Sequence, residues 1–72
     1  MMNRTEVSDV WLTDNAVWLK LKDGRQAAEK FSDYRRLASA TEKEREKFEL
    51  SYFGIHWPDI DEDLSYSGFF NK

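Results

Sequence analysis

The chain has no cysteine, one proline, three glycines and one histidine among its 72 residues. Without cysteine, neither a disulfide nor a thiolate zinc site can staple a small fold. Three glycines form no GxGxxG and no Walker A pattern, so no phosphate-cradling loop is present in the sequence. A lone histidine excludes HxH and HExxH metal spacings. No apolar run approaches the length of a membrane span. The opening Met1-Met2-Asn3-Arg4-Thr5-Glu6 lacks the apolar stretch of a signal peptide. A cytoplasmic location is therefore expected.

A basic field is missing too. Residues 1–36 hold seven bases and six acids, residues 37–72 four and eight, and the net charge is −3. Phosphate contacts dominate nucleic-acid affinity, so neither half reads as a nucleic-acid footprint. What the chain does have is aromatics: 15% of residues, with 40% apolar overall, too many for a disordered segment. This length has room for one domain, residues 1–72, with a core worth roughly 3–5 kcal/mol net.

Val7–Leu12 and Ala16–Leu21 are β-branched and aromatic runs separated by the turn formers Thr13, Asp14 and Asn15. Asp23-Gly24 signals a second hairpin, and Arg25 to Phe31 a third strand. With Leu12 opposite Val17, Trp11 faces Trp18 and Val10 faces Leu19. Alternation then puts Val10, Leu12, Val17, Leu19 and Leu21 on one face and both tryptophans on the other. Something must cover the tryptophan side: the C-terminal segment, with Ile55, Trp57 and Phe69, or another molecule.

The period changes after Phe31. Ser32 is placed to cap a short helix with Tyr34, Leu37 and Ala38 on one face. Thr41 and Glu44 fit a capping box opening a second helix to about Phe48. Its charge run, Glu42 to Lys47, reads as a solvated face. From Leu50 onward, Tyr52, Phe53, Trp57, Tyr66, Phe69 and Phe70 are interrupted by Gly54, Pro58 and Gly68. The expected fold class is α+β: an antiparallel three-stranded meander, two short helices and an extended aromatic C-terminal segment packed back on the sheet.

With Phe48-Glu49-Leu50-Ser51-Tyr52-Phe53-Gly54-Ile55-His56-Trp57-Pro58-Asp59-Ile60-Asp61-Glu62-Asp63-Leu64-Ser65 the sequence becomes distinctive. It resembles a bacterial family of small proteins, domain of unknown function family 2442. The similarity extends upstream through the Asp9-Val10-Trp11-Leu12 strand, the Asp23-Gly24-Arg25 turn and the Tyr34 to Thr41 region. The resemblance implies a small α+β domain, sometimes preceding a helix-turn-helix domain and often encoded beside another short gene. It thereby implies a two-protein module of the toxin–antitoxin kind. Arg35 departs from the pattern, since the family more often has proline there, which bears on how the chain enters the first helix.

Alternating Asp59, Asp61 and Asp63 suggest calcium, but an EF-hand loop counted from Asp59 needs glycine and glutamate where Leu64 and Phe70 stand. No dedicated metal site is expected, nor any cofactor. His56, between Ile55 and Trp57, reads as a structural residue making a local hydrogen bond. Within the family segment, Gly54, His56, Trp57, Pro58, Asp61 and Asp63 read as structural, and Trp57 as core. Trp11 and Trp18 stand between core and partner anchor. Arg35 and Arg36 beside Tyr34 read as helix solubilisation.

No catalytic residues are assigned. The leading expectation is a protein-interaction or regulatory module, the antitoxin-like half of a bacterial two-protein pair. Its partner would be a small protein encoded nearby, or a second copy through self-association; no direct nucleic-acid or membrane contact is expected. The alternatives are a DNA-associated regulator acting through a partner domain, and a minimal enzyme or accessory using His56 and the acidic turn.

Overall fold

The computed structural model describes residues 2–71. The first three strands follow from turn chemistry. Asp14-Asn15 joins β1 (Val7–Leu12) to β2 (Ala16–Leu21), and Thr13 N–H donates to Ala16 O at 2.9 Å to close the turn. Gly24, at φ 97, supplies the left-handed residue of the second turn. There the Asp23 carboxylate accepts the Arg25 N–H at 3.0 Å, and that backbone bond, aided by the guanidinium, holds its carboxyl below the ordinary value. β3 spans Gln26–Lys30, one residue shorter at each end than the expected Arg25 to Phe31.

The register matches the alternation argument, with Leu12 opposite Val17, Trp11 opposite Trp18 and Val10 opposite Leu19. One irregularity was not foreseen. Val7 pairs with Leu21 and Asp9 with Lys20, so Ser8 is an extra residue in β1. That bulge reverses the parity of the strand start and turns Val7 into the core with Val17, Leu19 and Leu21.

The helices differ in detail from expectation. Ser32 caps nothing: it lies in a 3-10 turn, Phe31–Asp33, which tucks Phe31 into the core. α1 (Arg35–Ser39) follows with Tyr34 at its N-cap and no side-chain cap bond. Arg35 thus occupies the first helical position, where proline is favoured because that N–H needs no intrahelical partner. The helix begins there without it. α2 (Glu42–Glu46) carries the expected capping box, Thr41 Oγ1 accepting Glu44 N–H at 3.1 Å and Glu44 Oε1 accepting Thr41 N–H at 2.9 Å. It stops at Glu46, short of Phe48, because Lys47 leaves helical backbone at ψ 73.

The aromatic tail is more ordered than an extended segment. It folds into a second antiparallel meander, β4 (Glu49–Leu50), β5 (Gly54–Trp57) and β6 (Glu62–Ser65), then a 3-10 turn at Ser67–Phe69. Ile55, Trp57 and Leu64 of this sheet join Val17, Leu19 and Leu21 of the first, with Phe31, Leu37, Tyr66 and Phe69, in one core. The domain is therefore α+β, with two three-stranded sheets and two short helices. Among the described residues no helix is long and apolar enough to cross a membrane.

Candidate interaction surface

The side on which the second sheet packs decides what the tryptophans do. Ile55, Trp57 and Phe69 share the core with Val17, Leu19 and Leu21, which point away from Trp11 and Trp18. Of the two alternatives for that face, burial by the tail is thereby excluded. The tail takes the aliphatic face and buries Val17, Leu19 and Leu21 almost completely. Trp11 and Trp18 stack across the strands, ring centroids 5.9 Å apart and planes inclined by 11°. Both stay half-buried. Register sets Asp9 and Lys20 beside them on one side, Ala28 and Lys30 on the other.

Trp57 is the opposite case. It is fully buried, its indole packs against Phe48 with centroids 6.2 Å apart, and its Nε1–H donates to Arg45 O at 2.9 Å. Gly54 is demanded by close approach: a Cβ there would lie 2.3 Å from the carbonyl oxygen of Leu64 on the neighbouring strand. His56 stands directly opposite Asp63, its Nδ1 2.8 Å from Asp63 Oδ1, which assigns the proton to Nδ1. Glu49 is its neighbour on the other side in register.

Pro58 opens the acidic turn, and Asp61, at φ 53, closes it in the left-handed region that aspartate tolerates. Both helix segments hold this turn. Lys47 Nζ lies 3.6 Å from Asp59 Oδ2, and the Arg36 guanidinium donates to Asp61 O at 2.5 Å. Arg36 is thus a tether as well as a solubilising charge. Among the described residues no three His, Cys, Asp or Glu side chains converge to hold a metal ion.

Three features escaped sequence reasoning. Arg45, placed in the solvated run, lies over the Phe31 ring at 4.4 Å and donates to Leu37 O at 2.9 Å and Ala38 O at 3.3 Å, closing the end of α1. No local pattern marks it, because its partners, the Phe31 ring and the end of α1, lie seven or more residues away in the chain. Glu29 is buried on the core face of β3 opposite Val17, where the Tyr34 hydroxyl donates to it. Burial, then the charges of Asp33 and Glu62, holds the Tyr34 phenol above its ordinary value. Finally, Tyr52 and Phe53 project from the β4–β5 turn, 56% and 50% exposed, in an edge-to-face contact at 4.7 Å. Two consecutive aromatics at a tight turn cannot both point inward, which is a legible cue.

A family model described as Protein of unknown function (DUF2442) matches residues 7–72. The chain belongs to this family. The match takes in both sheets, so the second meander is as much part of the family unit as the first. Comparison with curated proteins and with solved structures returns no match.

Proposed function

We propose that this member of the family is a small protein-interaction module with no catalytic chemistry of its own, which binds another protein through the Trp11–Trp18 face. One observation carries the reading: the core is closed by the second sheet on the aliphatic side, yet a stacked tryptophan pair stays only partly buried on the other. Aromatic anchors of this type dominate interface energetics. His56 is engaged by Asp63, and Asp59 and Asp61 by Lys47 and Arg36, so the residues of the alternative enzymatic reading serve structural contacts.

The specific form of the proposal is the antitoxin-like, regulatory half of a bacterial two-protein pair acting in the cytoplasm. It is supported by the gene neighbourhood that the family resemblance implies. The test is calorimetric titration with the purified product of the neighbouring gene. Trp18→Ala, folded by circular dichroism, is expected to weaken binding by roughly 30-fold or more. Binding unchanged in Trp18→Ala but lost in Phe53→Ser would move the site to the β4–β5 tip and overturn the assignment.

A further inference from the structure

β1 is an edge strand of the first sheet. The Thr13–Ala16 bond fixes the ladder phase, so Asp9 and Trp11 exchange hydrogen bonds with β2 while Val10 and Leu12 turn their N–H and C=O groups outward. Among the described residues, the outward Val10 N–H donates to the Asp9 carboxylate at 2.9 Å, and no protein group bonds the outward N–H or C=O of Leu12. β3, the strand at the other edge, has the C-terminal 3-10 turn as a neighbour, and Arg25 just before it lies over the Phe70 ring at 5.5 Å. The β6 edge carries Glu62 and Asp63, and pairing it with itself would bring carboxylates together.

We infer that β1 is a self-pairing edge: two copies join antiparallel through Val10 and Leu12, making a six-stranded sheet, with the Asp9 carboxylate as the contact that must let go. The register commits the geometry. Val10 bonds the partner's Leu12 and Leu12 the partner's Val10, which sets Trp11 against the partner's Trp11 at the two-fold axis. The stacked pair of each copy becomes one row of four tryptophans. On the core side the half-buried Val10 and Leu12 are covered by their counterparts. Asp9 falls opposite the partner's Thr13, so no like charges meet across the seam. This contact uses the strand edge and leaves the tryptophan face open, so it goes beyond the proposed function and can fail separately from it.

Sedimentation velocity over a concentration series tests it, with folding checked by circular dichroism. The wild type is expected to associate reversibly into dimers. Asp9→Ala removes the competing acceptor for one N–H and should tighten the dimer roughly fivefold. Leu12→Pro removes only an outward N–H, which an edge strand tolerates, and should give a folded monomer. Should that variant not fold, air oxidation of Trp11→Cys decides. At the two-fold axis non-hydrogen-bonded partners have Cα atoms about 4.5 Å apart, within disulfide reach. Trp11→Cys should therefore cross-link and Thr13→Cys should not. Monomeric wild type and Asp9→Ala up to the solubility limit would overturn the inference. So would a dimer persisting in folded Leu12→Pro, or equal cross-linking of the two cysteine variants.

Discussion

Trp57 and Trp18 are the same residue type on two sheets of one small protein, and truncating each to alanine should have opposite outcomes. Trp57 is fully enclosed. An indole of about 150–250 Å² at about 25 cal/mol per Å² represents roughly 4–6 kcal/mol of burial. Cavity-forming truncations of this kind cost about 3–5 kcal/mol. The Nε1–H bond to Arg45 O adds about 1 kcal/mol, because Trp57→Ala leaves that carbonyl without its donor. A domain of this size holds roughly 3–5 kcal/mol in total, so Trp57→Ala should be unfolded at 25 °C. Trp18 is half-buried and rests on Trp11, so its removal should cost about half as much burial, roughly 2–3 kcal/mol with no enclosed cavity, leaving the native state populated. Urea unfolding followed by far-ultraviolet circular dichroism reads both without relying on tryptophan emission. A folded Trp57→Ala together with an unfolded Trp18→Ala would mean that the tail covers the tryptophan face after all.

Gly54→Ala should destabilise by about 1–3 kcal/mol, as overpacking against unyielding backbone does, with the loss read from urea midpoints. Tyr66 is buried with its hydroxyl donating to Ser51 O at 2.7 Å, and burial holds its phenol above the usual value of 10.0 despite the opposing charge of Arg4. The folded state therefore keeps its proton where the unfolded state has lost it. The associated stability is complete below pH 10.0 and disappears as pH rises through the raised value. Alkaline melts should fall accordingly, and Tyr66→Phe should flatten that slope while costing about 1 kcal/mol at neutral pH. His56→Gln should shift stability by less than about 1 kcal/mol, since its carboxylate partner is 73% exposed. A larger loss by calorimetry would give the pair a weight that solvent screening denies it.

The sequence by itself determined the first sheet, because two turn signals and strict alternation leave one register that puts Val17, Leu19 and Leu21 together. It also determined α2, whose capping box is local chemistry closed within four residues. Trp57 was legible as core from its place in the family segment. Only the tertiary structure decided the rest. The β4–β6 meander is built from strands of two to four residues interrupted by glycine and proline, too short for any period to declare itself. The Ser8 bulge exists because Val7 gains burial by changing faces, a long-range reward with no local signature. Arg45 and Glu29 look like surface residues until the Phe31 ring and the Tyr34 hydroxyl come into reach. The status of the tryptophan pair was undecidable for the same reason. Alternation says that two residues share a face of a sheet, but which face a distant segment covers depends on the apolar area each offers, and that is settled only when the chain has folded back.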